Sequence, residues 1–116
     1  MTSTIPFKQW DVILVQFPFT DFQSTQKRPA LVISPDGYNK DGDLIIAFIT
    51  SQIQKPPRPG DFTLADWKSA KLPKPSLIRM NLATIAQSIV AKKLGRLSTT
   101  DISSFQKHFR DFFLGK

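Results

Sequence analysis

Few side chains in this chain can do chemistry. Cysteine and glutamate are absent, His108 is the only histidine, and all nine acids are aspartates. Thiolate nucleophiles, cysteine-rich zinc sites and a two-histidine ribonuclease mechanism are therefore excluded. The one acidic cluster, Asp36, Asn39, Asp41 and Asp43, fails as a calcium loop. With Gly42 at the invariant glycine of an EF-hand, the first and twelfth positions fall on Gly37 and Phe48, and neither is a ligand. The cluster reads as a turn, and no metal or cofactor is expected. His108 stands beside a phenylalanine stripe, as a surface or half-buried helix residue would. What remains is "KRPALVIS", with Lys27 and Arg28 just before an apolar run, and "FITSQ", with Thr50 and Ser51 leaving one. Pro29 restrains the backbone beside Arg28, so the planar guanidinium could face a phosphate in a fixed orientation. A threonine hydroxyl could donate to the same phosphate. On residue type alone, an arginine beside a strand is normally a solvated charge.

The elements that must hold these residues are mostly strands. Residues 12–17 are β-branched and aromatic, and Pro18 cannot continue their ladder. A loop over 19–27 leads to a second strand, with Pro29 opening the apolar run 30–33 and Pro35-Asp36-Gly37 turning the chain. Residues 44–49 are almost continuously apolar, as a core strand is, and Thr50 and Ser51 sit at its exit. The stretch 55–60 holds three prolines and predicts an exposed basic loop. A short strand at 62–64 and a single helical turn at 65–70 follow. Two further strands, 76–81 and 88–93, flank Thr84 and Ile85. The last element is a helix, with Ser98 and Asp101 at N-cap and N3 spacing. Ile102, Phe105, Phe109, Phe112 and Phe113 recur along it every three or four residues, and Gly115 ends it. A stripe at that period is expected to be core. The sum is a mainly β (α+β) fold: a small, strongly curved antiparallel sheet of five to seven strands closed by a C-terminal helix, in one domain over residues 1–116.

Composition narrows the setting. Hydrophobic residues make up 41% and charged residues 22%, a globular balance without low-complexity tracts or internal repeats. No apolar run approaches the ~18 residues of a membrane span, and the N-terminus lacks the apolar core of a secretory signal. A cytoplasmic protein is expected. The net charge of +7 sits entirely in residues 55–96, where nine basic side chains face only Asp61 and Asp66. Such a segment attracts a polyanion, either nucleic acid or an acidic protein.

Four segments in order, "DVILVQFPFTDFQSTQKRPALVISPDGYN", "DLIIAFITSQ", "KPSLIRMNLATI" and "KKLGRLS", resemble the MazF/PemK toxin family over nearly the whole chain. That family opens with Gly-Asp before an apolar strand, has Arg-Pro before the next, and places Thr-Ser or Thr-Ala after the third. Here these are Asp11, Arg28-Pro29 and Thr50-Ser51. The resemblance implies a homodimeric Src-homology-3-like barrel, the toxin of a type II toxin-antitoxin system. It implies metal-independent, sequence-specific cleavage of single-stranded mRNA by 2′-hydroxyl attack on the adjacent phosphate, leaving a 2′,3′-cyclic phosphate and a 5′-hydroxyl. Arg28 and Thr50 would be the catalytic pair, Arg28 stabilising charge on the pentavalent phosphate and Thr50 positioning it. Arg79 and Asn81 form a second site pair, and Lys27, Ser51, Gln52, Lys55, Arg58 and Lys74 are candidate RNA contacts. The implied partners are single-stranded RNA and a cognate antitoxin with a flexible acidic segment.

Three departures bear on that pattern. Trp10 replaces the usual glycine before Asp11. Asn81 replaces the aspartate of an Arg-x-Asp pair found in the PemK branch, and the loop before Arg28 lacks the glutamate some members carry. An amide cannot usefully accept a proton, so the expectation is reduced activity or reliance on Arg28 and Thr50. Two alternatives stay open: a non-catalytic toxin that poisons DNA gyrase through its C-terminal helix, and an inactive RNA-binding barrel.

Overall fold

The computed structural model describes residues 7–17 and 26–115. Pro18 as a strand stop, most of the 19–27 loop and the extreme N-terminus lie outside the described residues. The elements are β1 (Asp11–Phe17), β2 (Gln26–Val32), α1 (Asp36–Asn39), β3 (Asp43–Thr50), β4 (Phe62–Thr63), β5 (Leu77–Ala86), β6 (Val90–Arg96) and α2 (Thr99–Leu114). The six strands form one sheet in the order β4-β5-β3-β2-β1-β6, with every neighbouring pair antiparallel. The strand order is open, with β4 and β6 at its edges. Register shifts between Val12 and Ile13, between Leu14 and Val15, and between Ala47 and Ile49 mark bulges, the device that bends a sheet.

The apolar runs are nearly continuous because β1, β2 and β3 are buried on both faces. Val12, Leu31, Ala47 and Ile49 point to one cluster, completed by Leu64, Leu72, Ile78, Leu97 and Phe105 of α2. Their neighbours Ile13, Val15, Ala30, Val32, Leu44 and Ile46 point to a second, with Ile85. Strand alternation therefore sends consecutive residues into two cores, and neither face of these strands needs polar side chains. Phe105 is fully buried and meets the rings of Phe62 and Trp10 edge-on, at 5.4 and 6.0 Å between centroids. The predicted cap is present: the Asp101 amide donates to Ser98 Oγ at 3.0 Å. The carboxylate of Asp101 accepts from the amides of Ala65 and Asp66 at 3.1 and 2.8 Å, tying the helix start to the loop after β4.

Several expectations need correction. Thr84 and Ile85 do not separate two strands. They lie inside the ten-residue β5, because β3 pairs with it all the way to Asp43 opposite Ala86. Residues 65–70 form turns: the chain winds once, with Ala70 N donating to Asp66 O, and Lys71 then adopts φ 66° and stops it. Asp36–Asn39 is a single helical turn whose Asn39 is buried and bonded to Ser34. Arg28 lies within β2, opposite Val15, and does not precede the strand. β3 pairs with β2 only from Ala30 onward, so Pro29 stands at an edge position. Finally, the phenylalanine stripe is core only as far as Phe109; Phe112 and Phe113 are exposed.

Candidate functional site

Strand register assembles a cleft over the ends of β2, β3 and β5. Ala30 faces Phe48 across the β2–β3 ladder, so continuing the same register for two residues brings Arg28 level with Thr50. Thr50 in turn pairs with Leu77, and Arg79 and Asn81 follow Leu77 on one face of β5. The cleft has a volume of about 540 Å³ and is lined by Arg28, Thr50, Ser51, Gln52, Arg58, Lys74, Arg79 and Asn81 among others. Lys55 lines an adjoining hollow of about 620 Å³ that shares Ser51, Gln52 and Lys74. Lys27 belongs to neither lining; next to Arg28 on β2, it points to the opposite face by alternation.

The cleft is electropositive. Among the described residues, four cations line it and no carboxylate does. Thr50 Oγ1 accepts from the Gln52 amide at 3.1 Å, which sets the turn out of β3 and leaves its hydroxyl hydrogen to donate. The fork of Arg79 does not turn toward Asn81. Its Nε and Nη2 donate to the two oxygens of Asp61 at 3.1 and 3.0 Å. Asp61 Oδ2 also accepts from the Arg58 amide at 2.9 Å, and the Asp61 amide donates back to Arg58 O at 3.0 Å. Burial pushes the Asp61 carboxyl up. The hydrogen bonds from Arg79 and the Arg58 amide, with the charges of both arginines, outweigh that and hold it below its ordinary value.

The rear of the proline-rich loop is pinned. Gly60 has φ 89°, and a Cβ there would come within 2.5 Å of Met80 Cγ and 2.9 Å of Phe112 Cε1. Its carbonyl accepts from His108 Nε2 at 2.8 Å, so the lone histidine ties α2 to this loop. Asp61, Gly60 and His108 were not singled out as site residues by sequence. The available signal was that Asp61 is one of two carboxylates amid nine cations. Among the described residues, no three histidines, cysteines or acids gather as a metal site would require.

A family model described as the PemK-like, MazF-like toxin of type II toxin-antitoxin systems matches residues 8–113. The chain belongs to the PemK/MazF toxin family. Solved structures agree with this toxin's fold. An endoribonuclease from a mycobacterial species, in complex with its cognate antitoxin, gives a TM-score of 0.71 over 95% of both chains at 12% identity. MazF from Deinococcus radiodurans gives 0.68 over 98% of this chain and 100% of that one, at 20% identity. A MazE-MazF structure from the same organism gives 0.71, covering 97% and 98%, also at 20% identity. No curated protein sequence matches the toxin.

Proposed function

We propose that this toxin is a metal-independent endoribonuclease that cuts single-stranded mRNA, with Arg28 and Thr50 as its catalytic pair. The observation that carries the reading is the cleft itself. Arg28, Arg58, Lys74 and Arg79 converge on it with Thr50, and no carboxylate joins them among the described residues, which suits a phosphodiester and not a divalent cation. The ribose 2′-hydroxyl attacks the adjacent phosphorus, and the bond to the departing 5′-oxygen breaks. A 2′,3′-cyclic phosphate and a 5′-hydroxyl end are left. Arg28 stabilises the added charge on the pentavalent phosphate, and Thr50 orients it through its hydroxyl hydrogen. Ser51, Gln52 and Lys55 extend the contact along the adjoining hollow.

The direct trial incubates a long single-stranded RNA with the toxin in EDTA. Discrete fragments from wild type, with Arg28→Ala slower by about 100-fold or more, are expected. Intact RNA at large protein excess would sink the reading. The natural inhibitor is an antitoxin whose flexible acidic segment crosses the same cations. Its affinity should fall steeply with salt, and salt-independent binding would count against it. A toxin that acts on mRNA works in the cytoplasm, and a chain without cysteine is compatible with that reducing compartment. Assembly as a homodimer would cover Phe112, Phe113 and Leu114, which α2 exposes. Sedimentation as a 13.1 kDa species would contradict that assembly. The same apolar helix end supports a second reading, a non-catalytic toxin that seizes a protein partner. Growth arrest with cellular RNA intact would favour it.

A further inference from the structure

Arg79 is held from outside the cleft it lines. Its guanidinium has five N–H donors, and the two bonds to Asp61 engage Nε and one N–H of Nη2. Three donors remain. Asp61 itself is not among the lining residues, and only 6% of its side chain is exposed, against 15% for Arg79. The carboxylate therefore sits behind the cation, with the cleft on the other side. From the same position it accepts the Arg58 amide, so one carboxylate sets both an arginine on β5 and the turn that carries a second cleft cation.

We infer that Asp61 is a positioning residue of the site: it fixes Arg79 with its unused N–H groups toward the bound phosphate and closes the proline-rich loop so that Arg58 faces the same cleft. The inference rests on the ribonuclease reading. A free arginine on a strand samples many rotamers, and ordering it at the moment of reaction would raise the barrier. A bidentate carboxylate removes that disorder beforehand. Asp61 is not placed to move protons, because it lies behind the guanidinium and is kept ionised. Asn81, two residues along β5, is an exposed amide and supplies no charge to Arg79. The sequence thus carries its arginine and its carboxylate on different elements, 18 residues apart, and the fold joins them.

The test compares wild type, Asp61→Asn, Asp61→Glu, Arg79→Ala and the double variant Asp61→Asn/Arg79→Ala on one single-stranded RNA in EDTA, with kcat and KM separated. Asp61→Asn should lower kcat about 10- to 100-fold while KM moves less than about threefold. Asp61→Glu should recover part of the loss. The double variant should be slower than Arg79→Ala by much less than the loss in Asp61→Asn, because with the arginine gone only the hold of Asp61 on the Arg58 turn is left to lose. In ¹⁵N spectra the Arg79 Nε–H should exchange slowly in wild type and rapidly in Asp61→Asn. Multiplicative losses in the double variant, or a wild-type kcat in Asp61→Asn, overturn the inference alone. Should Asp61→Asn fail to fold, Asp61→Glu with an unchanged kcat and a fast-exchanging Arg79 Nε–H would overturn it equally. A wild type that leaves RNA intact overturns the ribonuclease reading and this inference with it.

Discussion

Two aspartates whose side chains are almost covered stand near opposite edges of the sheet, and they are used differently. Asp11, on β1 beside the edge strand β6, is 1% exposed; it accepts the Lys8 amide at 2.8 Å and faces Lys93 and Arg96, each at 3.4 Å. Those cations are 48% and 49% exposed, so water solvates the half of each charge that Asp11 does not. Near the β4 edge, Asp61 meets Arg79 in shorter, two-point contact, and the arginine is itself mostly buried. The ingredients are the same, a carboxylate and nearby cations. What separates them is the far side of the cation: solvent at Asp11, a cation-lined cleft at Asp61. A buried ion pair fastens the chain when its cation ends in water and prepares a site when its cation ends in a cleft.

Removing the cations tests that contrast most strongly. Arg79→Ala should lower RNA cleavage by about 10²- to 10³-fold, as loss of a preorganised donor does, while Arg96→Ala should leave kcat within about twofold. Equal losses from both would erase the distinction. Next in size is the stability at the Asp11 corner. Asp11→Ala removes the acceptor of the Lys8 amide and two ion pairs, yet both cations can rehydrate. The expected destabilisation is about 2 kcal/mol by urea unfolding, with kcat of the folded protein unchanged. A folded Asp11→Ala that cuts RNA far more slowly would place this corner in the site as well.

The family resemblance made many of the cleft's residues legible, though not its wiring, and it also named Lys27 and Lys55, which do not line it. Arg28, Thr50, Ser51, Gln52, Arg58, Lys74, Arg79 and Asn81 were all nameable beforehand, and one cleft contains them. Strand existence was legible too, because double-sided burial writes itself as unbroken apolar runs. Strand extent was not: Leu82, Thr84 and Ala86 are all exposed, so no alternation of apolar and polar residues marks a strand through Thr84, and only pairing with β3 carries it through. The role of Asp61 was hidden for a related reason. No local pattern links residues 61 and 79; the edge pairing of Phe62 with Ile78 brings them together. Phe112 and Phe113 misled in the opposite direction, because helical period marks a face without saying how far along the helix that face stays covered.

Acid titration distinguishes the Asp61 edge by its pH dependence. The carboxyl of Asp61 is lowered from an ordinary value of 3.8 in the folded toxin. Its contribution to stability is therefore complete above that value and disappears as pH falls through the lowered one. The gap in unfolding free energy between wild type and Asp61→Asn should be flat from about pH 5 to 8 and should narrow below about pH 4. A gap that widens on acidification would mean the carboxyl is raised, and the ion pair would not be what holds Arg79.

The smallest effect belongs to Trp10, at the Asp11 corner, and its sign is informative. Trp10 has φ 77°, a left-handed conformation that a bulky residue adopts at a cost of roughly 1–2 kcal/mol. It is kept there by Trp10 N donating to Val32 O at 2.7 Å, by Leu97 N donating to Trp10 O at 3.1 Å, and by the indole packing against Phe105. Trp10→Gly relieves the strain but gives up about 2–3 kcal/mol of apolar burial, for a net loss near 1 kcal/mol. Trp10→Ala gives up similar burial and keeps most of the strain, so it should be the less stable of the two. At an ordinary strand or helix position the order is reversed, since glycine is there the more destabilising residue. Finding alanine more stable than glycine at residue 10 would show that the indole, and not the backbone turn, dictates this corner. With the predicted order, the aromatic ring is a packing device laid over a turn that glycine would make unaided, and RNA cleavage should be indifferent to either substitution.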